Sequence, residues 1–213
     1  MNKKGVDDAI KFYRSKFRWK IEKFNRPFFL PKYFTPMIGD KKDVHIADLG
    51  AAMIATTGNL WNGADIHIHA SDLLADEYAS IWKERGVEQL IPIEKQDMEK
   101  MTYDDNVFDI VHCVNALDHT ENPKAALFEM IRVCKPGGWI YLRHVPNEAE
   151  RQSYKGLHQW NIVKEGGDCL FWNRDSRFLL SEIDDRFITE IRNSDSSPFY
   201  PPEESVVSIL QKI

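Results

Sequence analysis

The segment FDIVHCVNAL, residues 108–117, limits the folds open to this chain more than any other stretch. It is a continuous apolar run of strand length, the pattern of a strand covered on both faces in a parallel sheet. Asn122 follows as an N-cap, with Pro123 at the first helical position. The helix PKAALFEMIRVC stops at Lys135-Pro136-Gly137-Gly138, and WIYLRHV returns as a strand.

The same alternation runs upstream. VHIADLG and DIHIHAS read as strands, LLADEYASIWKERG as a helix ending at Gly86, and QLIPIE as a short strand. After residue 146 the regularity weakens. RFITEIRN and VVSILQKI read as two closing strands on either side of the polar, proline-containing loop SDSSPFYPPEES. The expected fold is α/β: a Rossmann-like, doubly wound sheet, mostly parallel, with an antiparallel C-terminal hairpin and helices on both faces.

Ahead of this pattern, Ile10, Tyr13, Phe17, Ile21, Phe24 and Phe28 recur at steps of three and four, one face of an amphipathic N-terminal helix. Pro27, Pro31 and Pro36 end it. The chain therefore divides into a basic arm with its connector, 1–43, and a single domain, 44–213. Phe17, Trp19, Phe24, Phe28 and Phe29 are available to cover a ligand of that domain.

The overall net charge of -5 conceals an asymmetry. Residues 1–32 hold ten Lys or Arg against three acids, +7, so the remainder is -12. A basic arm on an acidic body predicts an anionic partner, with a peripheral membrane surface among the candidates, while a solvated helix face explains the charge run equally well. The acidic body argues against nucleic acid as substrate. Cys113, Cys134 and Cys169 are far apart and lack CxxC spacing, so buried free thiols and a cytoplasmic location are expected. No apolar run approaches bilayer-spanning length, and the N-terminus lacks the apolar stretch of a secretory signal.

In an open α/β sheet the ligand lies beyond the carboxyl ends of the strands. Asp48 closes the first strand there, and Gly50 permits the tight turn after it. Asp72 stands past the second strand, 22 residues beyond Gly50, where a carboxylate accepts both hydroxyls of a ribose. Asp97 and Met98 suit an adenine amino group and ring, and NALDHT ends the fourth strand. The loop ADLGAAMIATTGN carries glycine only at Gly50 and Gly58. A pyrophosphate needs more glycines than that, whereas the amino-carboxylate tail of S-adenosylmethionine tolerates the methyl of Ala52. Thr56, Thr57 and Gly58 supply hydroxyls and a flexible turn. S-adenosylmethionine is the expected cofactor, and a dehydrogenase reading is weaker.

From about residue 44 to 145 the chain resembles the class I S-adenosylmethionine-dependent methyltransferases, most specifically in DMEKMTYDDNVFDIVHCVNALDHTENPKAALFEMIRVCKPGGWIYL. Ala51, Ala52 and Met53 replace the family's usual glycine-rich run. The resemblance implies cofactor contacts at Asp48, Gly50, Ala52, Gly58, Asp72, Leu73, Asp97, Met98 and Asn115. DLLADEY, NALDH and NEAERQSYKGLHQWNI are similar to bacterial methyltransferases of surface polysaccharides and sugar nucleotides, which implies O-methylation of a sugar hydroxyl.

Such a hydroxyl needs a general base, and histidine is best matched near neutral pH. His119, with Asp118 beside it, follows the fourth strand, and His158 sits in GLHQWN, where Trp160 offers a face for a sugar ring. These three are the catalytic candidates, although His119 also fits a loop hydrogen bond and His158 an acceptor-binding role. His45, His67, His69 and His112 fit structural roles better. Asp118, His119, His144 and Glu148 have no recognised metal-ligand spacing, so no metal is expected. Methylation of a small metabolite and a non-catalytic binding subunit with an altered cofactor loop are the competing readings. The acceptor, the atom methylated and the oligomeric state are not encoded in any motif.

Overall fold

A computed structural model describes residues 3–193 and 204–213, so most of SDSSPFYPPEES lies outside the described residues. Five parallel strands form its centre: β1 (Asp43–Leu49), β2 (Asp65–Asp72), β3 (Ile93–Lys95), β4 (Phe108–Val114) and β5 (Cys134–His144). Three strands follow as a separate antiparallel sheet, β6 (Asn161–Glu165), β7 (Asp168–Trp172) and β8 (Arg177–Leu179). The closing strands β9 (Ile188–Asn193) and β10 (Glu204–Gln211) complete the central sheet in the order β3-β2-β1-β4-β5-β10-β9. β10 runs antiparallel to both β5 and β9, as the hairpin expectation requires.

Five helices accompany the strands: α1 (Lys3–Phe24), α2 (Thr35–Ile38), α3 (Ala75–Arg85), α4 (Pro123–Val133) and α5 (Glu148–Arg151). Asn122 caps α4, its side chain accepting the N–H of Ala125 at 3.2 Å, and Gly86 ends α3 in the left-handed conformation. Leu127, Met130 and Val133 of α4 share a core with Val111, Cys113, Ile140 and Leu142 of the sheet. Phe171 and Phe178 of the small sheet, stacked at 4.8 Å, belong to the same core. Sequence reading assigned no strands to residues 161–179, and here the structure corrects it. These strands are three to five residues long and interrupted by Gly166, Gly167 and an Asn173 turn, too short to display a period.

A second core joins Leu30, Phe34, Met37 and Ile38 to Val44, Ile46 and Ile110. The third lies between α1 and α3, where Phe17 meets Trp82 edge-on at 5.3 Å and Trp82 donates its indole N–H to the carbonyl of Met53. Burying Phe17 and Phe24 contributes roughly 1.5–3 kcal/mol each. Arg14 pairs with Glu84 at 2.9 Å, and Asn25 bonds the backbone of Glu88 and Leu90, so both halves of α1 are tied down. Lys3, Lys4, Lys11, Lys16, Arg18 and Lys23 remain on its exposed side. No helix of the described residues is long and apolar enough to cross a membrane.

Candidate active site

A cavity of about 240 Å³ opens beyond the carboxyl ends of β1, β2 and β4. Gly50, Ala52, Asp72, Leu73, Asp97, Met98 and Asn115 line it, together with His119. Gly50 has φ +70°, and an added Cβ would stand 2.2 Å from the Cβ of Ala116, so glycine is obligatory where β1 and β4 release their loops. Ala52 adopts φ 55°, a conformation that alanine enters only at a cost. The Asp72 carboxylate holds it there, Oδ2 accepting the Ala52 N–H at 2.9 Å and Oδ1 the Leu74 N–H at 2.8 Å. Burial pushes the Asp72 carboxyl above its ordinary value, and those two N–H groups oppose the rise.

Two residues expected at the cofactor lie elsewhere. Asp48 is buried, accepting from Thr57 Oγ1 at 2.6 Å and standing 2.9 Å from His112 Nδ1. His112 reaches Tyr33 OH at 2.9 Å through its other nitrogen, so Asp48 anchors an internal polar chain. Gly58, at φ +93°, packs against the connector, where an added Cβ would meet the carbonyl oxygen of Phe29 at 2.8 Å. Its need for glycine comes from that contact.

The arm enters the site through residues other than those expected. Ala9 and Tyr13 of α1 form part of the cavity wall. Phe17 and Phe24 pack inward on α3, while Trp19 and Phe29 are 43% and 57% exposed. Leu157 closes the same side, along with Tyr78 of α3.

The three catalytic candidates converge at the cavity's edge. Leu117–His119 make one turn of 3-10 helix at the end of β4, burying Asp118 and leaving the His119 side chain 30% exposed. The segment 157–160 is laced onto this turn: the N–H groups of Gln159 and Trp160 both donate to the Asp118 carbonyl, at 2.8 and 3.1 Å. The Trp160 indole N–H donates to the Thr120 carbonyl. His158 is thereby delivered with Nδ1 2.6 Å from Asp118 Oδ2 and 3.2 Å from His119 Nε2. Trp160 itself is buried against Phe178 and presents no face to an acceptor, contrary to expectation.

Charges in this cluster are strongly coupled. Burial pushes the Asp118 carboxyl up, but His119 and His158 outweigh it and hold the group below its ordinary value. Burial lowers His119, and His158 is raised because its bond to Asp118 outweighs desolvation. His144, at the end of β5, is buried with both ring nitrogens unpartnered, and burial lowers it to about 4. The sequence places His144 and Glu148 near this strand end, but the orphaned ring has no local signature. His45, His67 and His69 form a separate, half-exposed group with Asp43 at the other end of β1 and β2.

Among known proteins, residues 47–142 match the family described as a methyltransferase domain. The chain is 28% identical over 151 residues to a sterol 24-C-methyltransferase of Neurospora crassa, covering 70% of this chain and 36% of that one. It is 30% identical over 157 residues to a ubiquinone/menaquinone biosynthesis C-methyltransferase of Coxiella burnetii, covering 72% of this chain and 54% of that one. The chain thus spans about half the length, or less, of these curated relatives. A SAM-dependent methyltransferase of Methanosarcina mazei has a similar structure, with TM-score 0.52, 13% identity and coverage of 87% and 99% of the two chains. A SAM dependent methyltransferase of Aquifex aeolicus has TM-score 0.50, 12% identity and coverage of 98% of each chain. At such identities the structural likeness is one of fold.

Proposed function

We propose that this chain, whose residues 47–142 match a methyltransferase domain, is a class I S-adenosylmethionine-dependent enzyme that methylates a hydroxyl oxygen of a carbohydrate, as a glycan or sugar nucleotide. In this reading Asp72 accepts the ribose hydroxyls, Leu73, Asp97 and Met98 flank the adenine, and Asn115 faces the cofactor from β4. Gly50 and Ala52 leave room for the amino-carboxylate tail. Asp48 acts indirectly, through the buried bonds that hold β1 to its loop.

The observation that carries the acceptor assignment is the Asp118–His119–His158 cluster at the cavity's edge. A sugar hydroxyl attacks poorly while protonated, and removal of its proton contributes about 10²–10⁴-fold. Its oxygen forms the new O–C bond as the C–S bond breaks, and sulfur keeps that electron pair as neutral S-adenosylhomocysteine leaves. The hydroxyl proton is drawn off at the cluster and passes to water. Glu99, Thr120 and Glu121 make the neighbouring wall polar, in keeping with a hydroxylated acceptor.

The sterol and quinone C-methyltransferases among the relatives favour a second reading, methylation at carbon of an apolar acceptor. S-adenosylhomocysteine release, measured with panels of sugar nucleotides, reducing glycans and reduced quinones, separates the two. Turnover on a sugar, with methyl ether found by mass spectrometry, supports the first. Turnover confined to quinones, with the methyl on carbon, overturns it. The exposed lysines of α1, with Phe12 and Trp19 among them, support an anionic surface, such as a membrane carrying the acceptor, as the arm's partner.

A further inference from the structure

We infer that Asp118, His119 and His158 form a binding site for a first-row divalent transition metal of the zinc class. Asp118 Oδ2, His158 Nδ1 and His119 Nε2 are mutually 2.6, 3.2 and 3.5 Å apart. Ligands held 2.0–2.1 Å from one ion stand about 2.9 Å apart at right angles and about 3.4 Å apart in a tetrahedron, so the triangle has the size of a coordination face.

Without an ion the triangle is held by a single shared proton. Each neutral imidazole has one ring proton, and a carboxylate has none. A proton on His158 Nδ1 satisfies its bond to Asp118 and leaves the lone pair of His119 Nε2 facing the same N–H. A proton on His119 Nε2 instead faces another ring nitrogen and a carboxylate at 3.5 Å. A cation satisfies all three lone pairs at once.

A further imidazole, His144, lies in the field of these groups. It is 3% exposed, neither ring nitrogen has a partner, and its ring interacts electrostatically with Asp118 and His119. Glu148, 9% exposed, interacts with His119 and His158 and adds a second negative charge. Imidazole donors with one carboxylate select zinc, cobalt or iron(II) over magnesium and calcium. The ion's role rests on the methyl-transfer reading: bound to the acceptor hydroxyl, it would stabilise the alkoxide that attacks the methyl group. Its binding does not depend on that reading.

The test uses the full chain carrying His67→Asn, which disables the exposed Asp43–His45–His67 group, after treatment with EDTA. Cobalt(II) chloride is titrated in and d–d absorption is recorded, with zinc chloride as competitor and S-adenosylhomocysteine affinity measured on the same samples. The expected result is one cobalt per chain, displaced by zinc. His158→Gln and His119→Gln should each weaken uptake by more than the ~10–100-fold that an outer-shell partner costs. Circular-dichroism spectra and melting temperatures equal to the parent's show that they are folded, and where one variant fails this control the other decides. Cobalt binding that ignores both substitutions, or no uptake by protein that binds S-adenosylhomocysteine, overturns the site. Cobalt uptake without S-adenosylhomocysteine binding upholds the metal and removes the methyltransferase reading.

Discussion

Asp72 holds the backbone N–H of Ala52 at 2.9 Å, and so fixes an alanine in a left-handed conformation at the mouth of the cavity. Glycine is the residue that turn prefers, and the carboxylate supplies the restraint that lets alanine serve instead. The sparse glycines of ADLGAAMIATTGN therefore leave the turn itself intact.

Ala52→Gly should relieve the left-handed conformation, worth roughly 1–2 kcal/mol in the folded state, at the cost of a more flexible unfolded chain. A net stabilisation of up to about 1 kcal/mol is expected, with S-adenosylhomocysteine affinity equal or higher. Thermal unfolding and calorimetric titration check both. A destabilised variant would mean the Ala52 methyl packs favourably enough to outweigh its backbone cost.

Asp72→Ala removes a charged acceptor facing the cavity and frees the loop it anchors. Hydrogen bonds to charged groups contribute about 1.5–3 kcal/mol, so cofactor affinity should fall by ten- to a hundredfold or more. Unchanged affinity would place the ribose elsewhere.

His119→Ala should lower turnover by about 10²–10⁴-fold while leaving S-adenosylhomocysteine affinity within a few-fold. The backbone of its 3-10 turn is held by Ala116 and by the capping bonds to 159 and 160, none of which uses the imidazole. Parallel loss of turnover and affinity would make His119 structural.

Lys20 of α1 is 5% exposed, 5.0 Å from the centre of the Tyr13 ring, and burial lowers its amine from 10.5 to about 7. The unfolded chain binds this proton more tightly than the folded one. The penalty is therefore fully present below pH 7 and fades as the pH rises to 10.5. Lys20→Met should stabilise the protein by a few kcal/mol at neutral pH, and its advantage should shrink toward pH 10. Denaturant unfolding of both proteins at several pH values checks this, and an advantage that grows with pH would contradict the assignment.

The sheet was legible because β4 and α4 carry strong local signals, a seven-residue buried strand and an Asn–Pro helix start, whereas the Gly–Gly pair expected to stop α4 lies inside β5, which begins directly at Cys134. Asp118 and His119 stand out in the sequence for the related reason that chemistry collects at strand ends, and the structure sets His119 on the cavity wall with Asp118 beside it. Asp48 and Gly58 were misplaced because side-chain direction and the packing of a distant connector carry no local signature. Trp160 looked like a platform until the small sheet, invisible as three short strands, was found to bury it. Tyr13 follows the apolar period of α1 like its neighbours, and only docking separates the residue that lines the cavity from those that pack on α3.

Ala9 and Tyr13 give the cavity a wall that belongs to a helix whose far side is basic and exposed. The two sides of α1 are thermodynamically linked. Any anionic body that grips the lysines more strongly in the docked position also tightens the cofactor, by the same factor with which the cofactor tightens that grip. A donor-loaded molecule would then linger on a charged surface longer than a spent one, wherever the two cofactor forms differ in how firmly they hold the helix down.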